Sequence, residues 1–234
     1  MEKLDVMGET HNPIAIDIDY CSVGKDGRPN EDYVLLGEKM YACVADGIGG
    51  APLGDAVARY ACHAAMRVLK RNGSTELAVV AAQDQVMRFV SDIDSLRSGT
   101  SLVVIALRGK KLEASWAGDT ALFVLKRGRE PHEVVSSLDA DLFGTTPPLG
   151  KSNDGRMVTV SDSIDDVDCI AVCTDGAWRA TGREEIGRLL ATEITARETA
   201  AKIVLGRPSR DDSTALVARF HRGTRRPTMG GLHD

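Results

Sequence analysis

Val44-Ala45-Asp46-Gly47-Ile48-Gly49-Gly50 is the stretch on which the reading of this chain turns. An apolar, strand-like run ends in an aspartate, and glycines follow. A carboxylate at a strand end can bridge two hard cations, and a glycine just after it lets its main-chain carbonyl approach a metal without side-chain interference. A lone Asp-Gly is usually only a turn, but three more acidic clusters follow the same rule. Glu31-Asp32, Asp175-Gly176 and Asp211-Asp212 each sit at the end of an apolar run. Carboxylates converging from separate strand ends repel one another unless cations lie between them, so the pattern points to a metal site rather than a solvated surface.

Working outward, residues 14–23 alternate apolar and polar over much of their length, the period of a half-buried strand. A turn at 24–30 holds two glycines and a proline. Residues 32–37 and 39–45 read as a strand pair. Apolar residues then recur at helical spacing from Pro52 to about Arg71, and a second helix runs from Ser74 or Thr75 to about Val90. Strands return at 101–107, 112–116, 121–125, 133–136, 157–160 and 169–173. Short turns such as Arg108-Gly109-Lys110 favour antiparallel neighbours, because parallel ones need long crossovers. Thr181-Gly182-Arg183-Glu184 has capping-box spacing and predicts a helix to about Leu190; another spans 195–205, and a last strand 213–220. Blocks of strands separated by helix pairs indicate a layered α+β domain.

The chain has 234 residues, 43% of them hydrophobic, enough for one substantial core. We read a single domain over 14–220, an N-terminal extension at 1–13 and a flexible basic tail at 221–234 that carries Arg222, Arg225 and Arg226. A net charge of -5 with no basic patch in the body argues against a nucleic acid partner. Cys21, Cys43, Cys62, Cys169 and Cys173 form no Cys-x-x-Cys pair, and four of them fall in apolar strand-like runs. They read as buried reduced thiols in a reducing compartment. With no signal pattern and no apolar segment of membrane-spanning length, the expectation is a soluble cytoplasmic protein with no membrane partner.

Taken in order, the chain gives Pro29-Asn30-Glu31-Asp32, the Asp46-Gly47-Ile48-Gly49-Gly50 loop, Ser98-Gly99-Thr100-Ser101, Ala117-Gly118-Asp119-Thr120, Pro148-Leu149-Gly150, Cys173-Thr174-Asp175-Gly176-Ala177-Trp178 and Arg210-Asp211-Asp212-Ser213-Thr214. This ordered set, running from about Ser22 to Phe220, resembles the metal-dependent protein phosphatases of type 2C, the PPM family, in their bacterial form. The resemblance implies a four-layer αββα sandwich of two antiparallel sheets flanked by helix pairs, with a short flap region and a binuclear Mg²⁺ or Mn²⁺ centre at one edge. It makes Asp46 the bridging ligand, with Glu31 and the Gly47 carbonyl on one ion and Asp175 and Asp211 on the other. Asp32 would bind through water, and Asp119 with Asp175 would hold a weaker third ion. An all-oxygen set suits Mg²⁺ or Mn²⁺ better than Zn²⁺.

The chain departs from that family at several positions. The Arg that grips the substrate phosphate is expected three residues after Gly24, where this chain has Gly27; Arg28 follows one step later and is the candidate, with Lys25 in reserve. Ile48 stands where eukaryotic members often carry a His. Thr120-Ala121 replaces Ser-Arg, Asp211-Asp212 replaces Asp-Asn, and residues 126–150 are short for a segment that often holds a mobile flap. Ser98, Thr100 and Ser101 invite a serine-nucleophile reading, but no motif places a His to activate them, so they read as strand-start structure.

The activity implied is Mg²⁺/Mn²⁺-dependent hydrolysis of phosphoserine or phosphothreonine by direct attack of a metal-bridging water. The partner would be a phosphoprotein substrate of a Ser/Thr kinase, or a phosphorylated anti-sigma-factor antagonist. The rival expectation is a catalytically weak or inactive domain that binds phosphoproteins as a regulatory module. Clustered carboxylates that would destabilise a metal-free fold count against that rival.

Overall fold

Residues 102–107 are apolar without alternation because both faces of their strand are covered. The computed structural model describes residues 14–25, 29–38, 40–48, 53–91, 98–128, 134–135, 146–151 and 157–222. Its first half runs β1 (Ile14–Val23), β2 (Asp32–Gly37), β3 (Tyr41–Gly47), α1 (Gly54–Lys70), α2 (Thr75–Ser91), β4 (Thr100–Arg108), β5 (Lys111–Ala117) and β6 (Ala121–Lys126). The second half runs β7 (Val134–Val135), β8 (Val158–Ser163), β9 (Val167–Cys173), α3 (Asp175–Thr181), α4 (Arg183–Ala191), α5 (Ala196–Leu205) and β10 (Ser213–Arg222).

The strands form two sheets, in the orders β1-β10-β9-β6-β7 and β2-β3-β4-β5-β8. Every strand pairing is antiparallel. Three hydrophobic cores separate four layers. Along β4, Leu102, Val104 and Ala106 join the core under α1 and α2, while Val103 and Ile105 join the core between the sheets. β9 divides likewise: Ile170 and Val172 face the other sheet, and Cys169, Ala171 and Cys173 face the core under α3, α4 and α5. A strand buried on both faces loses its period-two signature, so these segments read as continuous apolar runs. The architecture is the αββα sandwich expected.

Several expectations need correction. α1 starts at Gly54 rather than Pro52, because Leu53 takes a left-handed φ of 64° that a helix cannot contain. The capping box at Thr181 does not form: Gly182 is the N-cap of α4 with no side-chain cap, and the Thr181 hydroxyl donates to the Ile203 carbonyl at 2.6 Å. The real capping box is at α5, where Thr195 and Glu198 bond reciprocally. α3 was not foreseen. β10 extends to Arg222, whose guanidinium donates to Asp168 at 3.0 Å and to the Val167 carbonyl at 3.0 Å, so Arg222 belongs to the sheet rather than to a tail. The extension 1–13, Arg28, residues 223–234 and most of the expected flap lie outside the described residues. All five cysteines are free, and all but Cys21 are buried.

Candidate active site

The two sheets bring their acidic ends to one edge of the sandwich. Asp32 and Asp46 are cross-strand partners in β2 and β3, so their side chains share a face. By alternation with Ala42 and Val44, that face is the one turned toward the other sheet. From the opposite sheet, Asp175 follows β9 as the first residue of α3, and Asp211 precedes β10. Asp119 lies in the turn that carries the chain from β5 in one sheet to β6 in the other. Glu31 stands just before β2, and its carbonyl accepts the Gly47 N–H at 3.2 Å.

Glycines set these approaches. A Cβ on Gly47 would lie 2.5 Å from the Gly54 carbonyl oxygen, and one on Gly54 would lie 2.6 Å from Glu31 Oε1. The end of β3 and the start of α1 therefore meet backbone to backbone, with the Glu31 carboxylate beside them. Gly176 is equally close to the Asp212 carbonyl, which locks α3 against the loop before β10. Ser209 joins the same contact by donating to the Gly176 carbonyl at 3.0 Å.

The carboxylates lie in one another's field. Burial, followed by the charges of Asp32, Asp175, Asp119 and Asp211, pushes the Asp46 carboxyl up to about 10. Burial raises Asp32 to about 7, against the lowering effect of hydrogen bonds from Thr214 and Thr174. Asp175 is raised by burial and by Asp119, and Arg179 opposes the rise. The Thr174 hydroxyl donates to Asp32 Oδ2 at 2.9 Å, while Asp32 Oδ1 is buried with no partner among the described residues.

Two residues to which the sequence assigns no role of their own organise the edge. Asp212 is buried, and its carboxylate accepts the Lys25 N–H at 2.5 Å and the Glu31 N–H at 2.7 Å. It thereby ties β10 to both ends of the 24–31 loop. Arg179 contacts Asp175 at 2.6 Å and Asp119 at 3.2 Å. The signal for Arg179 was present as an i,i+4 acid–base spacing, but it has meaning only if residues 175–181 are helical. Thr100 and Ser101 open β4, where the Thr100 hydroxyl donates to the Asp46 carbonyl at 2.8 Å, in keeping with a structural role.

Among the described residues, no three His, Cys, Asp or Glu side chains already form a compact metal-binding cluster. The chemistry of the set nonetheless fits a pair of divalent cations. Its donors are oxygens, its carboxylates raise one another's proton affinity, and a buried carboxylate oxygen of Asp32 lacks a partner. The Arg179 guanidinium spans the carboxylates of Asp119 and Asp175, the pair to which the resemblance assigns a third ion.

The fold is a two-sheet αββα sandwich with this acidic edge at one end. The sequence pattern of protein phosphatase 2C matches residues 22–202. The chain belongs to the protein phosphatase 2C family, whose structures are those of serine/threonine phosphatases and whose substrates are phosphoproteins. No curated protein matches it. Among solved structures it resembles the catalytic domain of the phosphatase PstP in complex with two manganese ions, at 20% identity and a TM-score of 0.74, over 89% of this chain and 99% of that one. It also resembles PppA of Pseudomonas aeruginosa, described as a key regulatory component of T6SS, at 24% identity and a TM-score of 0.71, over 88% and 98%. Stp1 of Staphylococcus aureus is similar at 14% identity and a TM-score of 0.74, over 92% and 98%.

Proposed function

We propose that this protein is a Mg²⁺- or Mn²⁺-dependent phosphatase of phosphoserine and phosphothreonine in proteins, acting in the cytoplasm against a Ser/Thr kinase. The observation that carries the reading is Asp46, which lies in the field of carboxylates from both sheets and would be largely protonated at neutral pH without a cation. In this reading Asp46 bridges two cations, Glu31 and the Gly47 carbonyl serve one, Asp175 and Asp211 serve the other, and Asp32 binds through water. Bound cations would supply an acidified water for direct attack on phosphorus and would neutralise the phosphoryl oxygens. The protein's own part is positional: Asp212 holds the backbone amides of Lys25 and Glu31 beside the acidic edge, and Arg28, between them in sequence, is the proposed phosphate grip.

A cleft of about 830 Å³ beside Asp211 supports an anionic substrate. It is lined by Lys25, Arg207 and Arg210, none of which has an ion-pair partner among the described residues, and by the exposed apolar side chains of Val23 and Leu205. No described helix is long and apolar enough to cross a membrane.

The test is Mn²⁺-dependent hydrolysis of a phosphothreonine peptide and of para-nitrophenyl phosphate, with EDTA and Asp46→Asn as controls. Turnover should fall by at least about 100-fold in either control. Full activity in Asp46→Asn or Asp175→Asn would sink the reading, and Mn²⁺ uptake without turnover would favour the regulatory binding module.

A further inference from the structure

The carboxylates of Asp119 and Asp175 converge on one guanidinium. Arg179 Nη1 lies 2.6 Å from Asp175 Oδ2, and Nη2 lies 3.2 Å from Asp119 Oδ2. Helical spacing makes the first contact automatic, because residues four apart stack on one face of α3. The second contact joins α3 to the β5–β6 turn. Trp178 completes the arrangement: its indole N–H donates to the Asp119 carbonyl at 3.1 Å, and the Arg179 guanidinium carbon lies 5.0 Å from the Trp178 ring centroid. The guanidinium is thus held by two charges and the face of an aromatic ring, a setting that suits arginine better than lysine.

We propose that Arg179 is a built-in monovalent cation that takes the place of a third divalent ion, leaving this chain with a two-ion centre. A divalent cation seated between Asp119 and Asp175 would meet the guanidinium charge at close range and would have to strip it of both carboxylates. Unlike a weakly held ion, Arg179 does not dissociate, so the charge at this corner is independent of metal concentration. The inference rests on the two-cation reading above, and its test counts ions rather than turnover.

Mn²⁺ is titrated into the metal-free full chain, with bound ions counted by calorimetry and by loss of the free-ion electron paramagnetic resonance signal. The expected result is two ions for the wild type and for Arg179→Lys. Arg179→Ala should take a third, at least about tenfold tighter than any third event in the wild type, and Arg179→Ala with Asp119→Ala should return to two. The Arg179 side chain is 57% exposed, so its truncation leaves the core intact; far-UV circular dichroism checks the fold of each variant. Three ions in the wild type, or no gain in Arg179→Ala, overturns the proposal. Zero ions in the wild type with one gained in Arg179→Ala removes the two-cation reading and keeps only the exclusion of a cation by Arg179, whereas zero in both removes both.

Discussion

Asp32 and Asp46 are carboxylic acids placed where ionisation is costly, and that has a measurable consequence in the metal-free protein. Burial raises Asp32 to about 7, and burial with neighbouring charges raises Asp46 to about 10. In the unfolded chain both would ionise near their ordinary value, just below 4. A raised folded-state value means that stability is fully present below the unfolded value and is lost as pH climbs through the folded one. For Asp32 that window runs from about 4 to about 7, and for Asp46 it extends to about 10. The EDTA-treated protein is therefore expected to melt at least about 5 °C lower at pH 8 than at pH 5. Asp46→Asn, which removes one charge from the cluster, should flatten that slope, and Mn²⁺ should restore the wild-type melting temperature at pH 8. A metal-free melting temperature that rises over the same interval would refute this account of the edge.

Elements deliver these residues, and they differ in how legible they were. β3 and β9 announce themselves because strands covered on both faces must be apolar throughout, and the acids follow at their ends. The helix α3 was hidden because its seven residues, Asp175–Thr181, are too few to show a period and include the Asp-Gly of a turn-like motif. The Thr181 capping signal failed because tertiary packing claimed the hydroxyl for the Ile203 carbonyl. Asp212 was read only as a variant of a motif, since its work is to hold backbone amides 181 and 187 residues away in sequence. Two substitutions separate elements that build the site from one that supports the fold. Gly176→Ala places a Cβ against the Asp212 carbonyl, so it is expected to cost about 1–3 kcal/mol and also to weaken Mn²⁺ binding by prising α3 from the loop before β10. Thr195→Ala removes the α5 cap and should cost about 1 kcal/mol with Mn²⁺ affinity unchanged. Denaturant titration and calorimetry on both variants read the contrast; equal effects on metal binding would show that the α3 contact is not what aligns the site.

At the scale of the molecule, charge is distributed against its total. The chain carries a net -5, yet the cleft beside Asp211 presents Lys25, Arg207 and Arg210 next to the exposed Val23 and Leu205. A negatively charged body repels an acidic phosphoprotein at long range, so attraction must come from this local patch acting within about a Debye length, about 10 Å at 0.1 M salt and about 3 Å at 1 M. The patch borders Asp211, so a peptide whose phosphoryl group sits at the acidic edge has flanking residues within its reach. If the cleft receives those residues, KM for a phosphothreonine peptide with acidic and leucine flanks should rise at least about threefold between 0.05 and 0.5 M NaCl. A lysine-flanked peptide should show no such rise, and para-nitrophenyl phosphate, which has no flanks, reports the salt response of the acidic edge itself. Arg207→Glu should raise KM for the acidic peptide at low salt and abolish its salt dependence, because the substitution replaces attraction with repulsion at the same place. Identical salt responses for the two peptides would mean that the phosphoryl group alone is recognised and that the cations of the cleft serve solubility rather than selection.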